Sequence, residues 1–173
     1  MDLDRLLVWR SQRDAFFKKD PSSPIKPPLR SKFKGLSYYD PDPSLYFLVQ
    51  LTLFDVQEDV EIQTTSGDTR WYRRYGEFAF VVAGERARLA VYQTPNGFFL
   101  PFMDATSGEE TYPSGRYIDP LPQADGALMI DFNRAYNPFC AYNASWSCPL
   151  TPAENRLKVA IRAGEKTYTP PSE

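Results

Sequence analysis

Beyond residue 20 this chain is broken so often by proline and by turn-forming pairs that no long helix can persist, which confines the fold to short strands. Sixteen prolines are spread through 173 residues. Asp40-Pro41-Asp42-Pro43, Thr64-Thr65-Ser66-Gly67-Asp68, Ala83-Gly84-Glu85-Arg86, Thr94-Pro95-Asn96-Gly97 and Asp104-Ala105-Thr106-Ser107-Gly108 all carry the residues that favour tight turns. Between them apolar and polar residues alternate with the two-residue period of a half-buried strand. Phe47, Val49, Leu51 and Leu53 predict a strand over residues 46–54, and Phe78, Phe80 and Val82 one over residues 70–82. The second reverses at Ala83-Gly84 into Leu89-Ala90-Val91-Tyr92, making a hairpin. Residues 98–103 and 109–112 read as a further hairpin, and residues 127–133 as the next strand. Leu157, Val159 and Ile161 alternate with Arg156, Lys158 and Arg162 and read as a half-exposed strand. The acidic run from Asp55 to Glu61 reads as a solvated loop, and Ala163-Gly164-Glu165-Lys166 repeats the turn chemistry of Ala83-Gly84-Glu85-Arg86. Strands never alternate with helical segments, which excludes a doubly wound parallel sheet. The fold class is therefore mainly β: an N-terminal helix plus a curled antiparallel sheet, a barrel or sandwich of eight or nine strands.

The one helical pattern comes first. Leu3, Leu6, Leu7, Arg10 and Phe17 recur at three- and four-residue spacing up to about Lys19, and Asp20-Pro21 stops them. A proline-punctuated connector follows, with Ile25, Leu29 and Phe33 as apolar anchors. Residues 1–35 are thus expected to be an arm laid on a single β-rich domain, residues 36–173. Through Lys34 the chain carries nine Lys/Arg against four Asp, and beyond it eleven against eighteen Asp/Glu, so a basic arm faces an acidic body. The overall charge of −2 argues against a nucleic-acid partner. No run approaches membrane-spanning length and the start, M-D-L-D-R, lacks a signal peptide's positive charge, so the expectation is a cytoplasmic protein with no membrane partner.

Much chemistry is excluded by what is missing. The chain has no histidine, which removes Ser-His-Asp and Cys-His catalysis and histidine-ligated metals. No phosphate-binding glycine loop, dinucleotide fingerprint or nucleophile elbow occurs, and neither a metal site nor a cofactor is expected. The S-x-x-K matches at Ser23 and Ser31 fall in the connector without their companion motifs. Cys140 and Cys148 read as inert reduced thiols among aromatic neighbours, a redox-labile pair being the alternative.

Polar residues concentrate in one region. Leu128, Ile130 and Phe132 share a strand face, so Asp131 and Asn133 point to the other. Gly115 precedes Arg116, Tyr117 and Asp119, and an arginine in an apolar strand needs a carboxylate, for which Asp104, Asp119 and Asp131 are candidates. Asp131 and Asn133 are expected to turn toward Arg116. Either Arg116, Tyr117, Asp119, Asp131, Asn133, Tyr136, Asn137, Cys140 and Tyr142 line a pocket for a small polar or anionic molecule, or they only tie loops to the sheet. An enzyme using Asp131 as base, or an interaction module using the basic arm, are the alternatives.

The segments T-Y-P-S-G-R-Y-I-D (residues 111–119), D-F-N-R-A-Y-N-P-F-C-A-Y (131–142), C-P-L-T-P-A-E-N-R-L (148–157) and A-G-E-K-T-Y (163–168) resemble a widespread prokaryotic family of unknown function. Its pattern is E-T-Y-x-x-G-R-Y-x-D, D-F-N-x-A-Y-N-P-x-C-A-Y and C-P-x-P-P-x-N-x-L. The likeness covers most of the chain after Ser37, departs at Thr151 where the pattern has proline, and implies that the polar region is the family's defining part without implying a reaction.

Overall fold

A computed structural model describes residues 1–171. Helix α1 (Leu3–Lys19) starts where Asp2 accepts the Arg5 amide, carries Asp4 in its first turn and Lys18 and Lys19 in its last, and ends at Asp20. The short α2 (Pro27–Arg30) follows within the connector. Among the described residues nine strands then form two antiparallel sheets: β1 (Tyr46–Val49), β2 (Thr52–Leu53), β3 (Asp59–Gln63), β4 (Thr69–Val82), β5 (Glu85–Thr94), β6 (Gly97–Phe102), β7 (Arg116–Ile118), β8 (Leu121–Pro122) and β9 (Leu128–Asp131). The larger sheet runs β2-β4-β5-β6-β7 with β3 also on β4, and the smaller runs β1-β9-β8. The fold is mainly β as expected, but the sheets do not close, so it is not a barrel. Phe78, Phe80, Leu89, Val91, Leu100 and Phe102 from one sheet meet Leu128, Ile130 and Phe132 from the region of the other in the main core.

Four local expectations are corrected. The predicted strand over 46–54 divides at Gln50-Leu51, β1 pairing with β9 and β2 with β4, because here the chain crosses from one sheet to the other. Part of the acidic run belongs to a strand: β3 pairs with β4, burying Ile62 and setting Asp59 against Arg73. Residues 109–112 do not return as a strand. Glu109, Glu110 and Thr111 all direct their amides at the Thr106 carbonyl, forming a compact turn. Residues 157–161 keep the expected faces, Ile161 buried and Lys158 exposed, but have no partner strand among the described residues; amide bonds from Leu157 to the Met103 carbonyl and from Ala105 to that of Val159 fasten them. Asn155 completes the sheet beside them, its side chain bonding both backbone groups of Ala90 and the carbonyl of Pro101.

The face of α1 that meets the body is narrower than the pattern suggests. Leu6, Arg10 and Phe17 are buried, whereas Leu3 and Leu7 are about half exposed. Phe17, Ile25 and Phe33 make a second core with Phe139 and Tyr142. Among the described residues no helix is long and apolar enough to cross a membrane.

Candidate functional site

Arg116 opens β7 directly after Gly115, whose φ of +92° suits glycine and whose added Cβ would lie 2.5 Å from the Phe102 carbonyl oxygen. The backbone pressed so closely carries the Arg116 side chain into the interior, where only 1% of it is exposed. Its Nη2 donates to Asp104 Oδ2 at 3.2 Å and to the Ile161 carbonyl at 2.8 Å; its Nη1 donates to the carbonyls of Ala163 and Glu165. Asp104 in turn accepts the Thr106 hydroxyl at 2.6 Å and the Ile161 amide at 2.6 Å. Burial pulls the guanidinium below its ordinary pKa while Asp104 works the other way. The pair therefore fastens the C-terminal segment to the sheet and leaves Arg116 no open face for a ligand.

Of the three carboxylates expected to serve Arg116, Asp104 does. Asp131 and Asn133 do not turn toward it. The strand ends at Asp131, which caps a 3-10 turn over Phe132–Arg134, so the following side chains leave the strand's alternation. Asp131 Oδ1 accepts the Asn133 amide at 3.0 Å and its Nδ2 at 2.9 Å. Asn133 bonds both the amide and the carbonyl of Asp42, and its own carbonyl accepts Arg10 from α1. At 3% exposure and so engaged, Asp131 is placed as a cap and not as a general base.

A second carboxylate, absent from the sequence-based candidates, organises the rest. Glu165 is 1% exposed; Oε1 accepts the Tyr142 hydroxyl at 2.6 Å, and Oε2 accepts Arg13 Nη2 at 3.2 Å and the Asn137 amide at 2.6 Å. Burial pushes its carboxyl pKa up, against the pull of Arg13 and of the two hydrogen bonds. Arg13 would be lowered by burial, but Glu165 beside it raises it overall. Its guanidinium also lies 5.1 Å from the ring centres of Trp9 and Tyr136. Glu165 reaches this position because Gly164 runs so close to the 3-10 turn after β9 that an added Cβ would sit 2.7 Å from the Phe132 and Ala135 carbonyl oxygens. The only trace in the sequence is the Gly-Glu pair itself, which reads equally well as a surface turn.

Tyr117, though buried, and half-buried Tyr136 border a surface groove. They wall a groove of about 340 Å³ together with Tyr72, Phe99, Phe139 and Trp146, with Arg70, Ser147 and Cys148 at its edge. Tyr72 stacks on Phe99 at 5.0 Å, Phe99 meets Tyr117 edge-on at 4.8 Å, and Tyr117 meets Tyr136 edge-on at 5.8 Å. The hydroxyls are occupied elsewhere, Tyr117 by the Pro149 carbonyl and Tyr136 by Asp119 Oδ1 at 2.9 Å. Burial around Asp119 raises its pKa, and the Tyr136 hydroxyl holds part of that back. The groove thus offers aromatic walls with polar atoms at the rim, within the lower part of the size range of small-molecule clefts. Sequence reasoning missed Tyr72 and Phe99 because they occupy the sheet face away from the main core, where alternation predicts only solvent.

The nine expected site residues accordingly divide. Tyr117 and Tyr136 line the groove and Asp119 joins it through Tyr136; Asn137 and Tyr142 serve Glu165; Arg116 serves Asp104; Asp131 and Asn133 hold the arm; Cys140 contacts Cys148, its amide 3.3 Å from the Cys148 sulfur. Among the described residues no group of three or more Cys, Asp or Glu side chains is placed to hold a metal ion.

A family model described as "Protein of unknown function (DUF1684)" matches residues 31–166. Among solved structures, an uncharacterized protein of Haloarcula marismortui, determined in solution by NMR, is 37% identical and superposes with a TM-score of 0.71, covering 95% of this chain and 93% of its own. No curated protein matches the chain.

Proposed function

The chain belongs to the DUF1684 family, whose function is unknown, and from its geometry we propose that it is a cytoplasmic small-ligand-binding β domain whose site is the aromatic groove on β4, β6 and β7. The supporting observation is a continuous set of rings, buried Phe99 and Tyr117 flanked by half-buried Tyr72 and Tyr136, that lines one surface groove away from the main core. Arg70 at the rim gives one Nη to the Ser147 carbonyl at 2.7 Å and keeps its charge at the groove edge. The ligand that fits is a planar molecule bearing a carboxylate or similar anion, its ring against the tyrosines and its charge toward Arg70. Arg116 and Asp104 support this site from within instead of touching the ligand.

Fluorescence of Trp146 tests the reading. Aromatic carboxylates titrated into the protein should quench it saturably. Arg70→Gln should weaken the carboxylates about fivefold, the scale of one rim charge, while leaving neutral ring analogues unchanged. Tyr136→Ala should remove both. Failure of the whole series to bind, or binding indifferent to Tyr136→Ala, would eliminate the groove.

A further inference from the structure

We propose that Cys140 and Cys148 form a dithiol–disulfide couple that accepts oxidation from a small-molecule disulfide, with Cys140 attacking and Cys148 resolving. Both thiols are free in this structure. Cys140 lies in the 3-10 turn Phe139–Ala141 and is partly exposed, whereas Cys148 is 6% exposed. The attacking position is therefore the more exposed of the two, and Cys148 edges the aromatic groove. The Cys140 amide donates to the Cys148 sulfur at 3.3 Å, which sets the two cysteines against each other. The Tyr112 hydroxyl donates to the Cys140 sulfur at 3.6 Å, while the Thr65 hydroxyl donates to the Trp146 carbonyl at 3.2 Å.

The Tyr112 donor and the neighbouring Cys148 thiol favour the Cys140 thiolate. Cys148 is the strongest influence, and together with Tyr112 it outweighs burial and brings Cys140 down to about 6. The Cys140 side chain pushes the Cys148 thiol up, with burial adding to it and the Cys140 amide, then Arg70, opposing it. Tyr112 stays protonated as a donor, pushed up to about 12 by burial and by its contact with Cys140. Cys148 is held from behind: its amide bonds the Thr65 hydroxyl at 3.1 Å and its carbonyl accepts the Thr65 amide at 2.9 Å. A thiolate beside a fixed thiol needs only a leaving group, and the bond it closes has a length of about 2.05 Å.

The step balances with the disulfide as oxidant. The Cys140 thiolate attacks one sulfur of R–S–S–R, forming a Cys140–S–S–R bond and expelling RS⁻, which takes the Cys148 proton. The Cys148 thiolate then attacks the Cys140 sulfur and releases the second RS⁻. Two protein thiols are oxidised and one external disulfide is reduced to two thiols. The couple does not depend on the groove being a ligand site.

Oxidised glutathione is the probe, with acid quenching, alkylation and intact mass measurement. The folded wild type should lose both alkylatable thiols and end without a glutathionyl group. Cys148→Ser should stop with one glutathionyl group on Cys140, and Cys140→Ser should react many-fold more slowly than either. A wild-type product that keeps its glutathionyl group, or a Cys148→Ser variant that stays unmodified while the wild type oxidises, would overturn the proposal. The pH profile of Cys140 alkylation in the wild type provides a reading that needs no variant. Its midpoint should lie near 6 and move upward in Tyr112→Phe; a midpoint at the ordinary thiol value of about 8.5 would also overturn it.

Discussion

Arg116 shows what one buried charge does when its neighbours are backbone. The apolar segment around it indicates an arginine that must be paired, and that much follows from the cost of leaving a charge unpaired in the interior. The choice of Asp104 among three carboxylates does not follow, because it depends on how a turn twelve residues earlier folds back against residues 161–165. Arg116→Met should cost about 3–5 kcal/mol in chemical denaturation, since Asp104 is left charged and buried. Adding Asp104→Asn should make the double variant less unstable than the sum of the single losses, because the orphaned charge is then gone. Strict additivity would mean the two side chains do not act as a pair.

At the scale of elements, alternation identifies faces more reliably than partners. Residues 157–161 present Ile161 inward and Lys158 outward like a strand, yet they bond to a loop and to the Asp104 carboxylate. The short 3-10 turn Ala153–Asn155 joins this segment to the larger sheet: Asn155 completes the edge of β5, and Glu154 takes hydrogen bonds from Arg74 of β4 and Tyr92 of β5. Burial works to raise the Glu154 pKa, but those hydrogen bonds and the Arg74 charge prevail and hold it below the ordinary glutamate value. A carboxyl depressed on folding stabilises the fold above its unfolded value, and this contribution fades as pH falls through the folded one. Glu154→Gln should therefore lower the unfolding free energy in urea near neutral pH, by about 1 kcal/mol or less after solvent screening, and the gap to wild type should close as pH falls below the ordinary glutamate range. A gap that widens in acid would contradict the assignment.

At the scale of the whole molecule, the basic N-terminal arm is built into the body. Leu6, Phe17, Ile25 and Phe33 are buried, Arg10 holds the Tyr39 and Asn133 carbonyls, and Arg13 meets Glu165. Removing residues 1–35 exposes the second core and leaves Glu165 without its cation, which alone should cost about 3–5 kcal/mol. The truncated chain should lose the cooperative thermal transition of the full protein. A truncated chain that melts like the intact one would return the arm to the role of a partner-binding extension.

Pattern alone determined the β class, the leading helix, the hairpin through Ala83-Gly84, the need to pair Arg116 and the exclusion of histidine chemistry, because each rests on neighbours a few residues apart. Only the tertiary structure decided that the sheets stay open, that Asp104 and Glu165 are the organising carboxylates, and that Tyr72, Phe99, Tyr117 and Tyr136 meet in one groove. Those outcomes depend on close approach between distant segments, as at Gly115 against Phe102 and Gly164 against Ala135, and no local periodicity encodes such an approach.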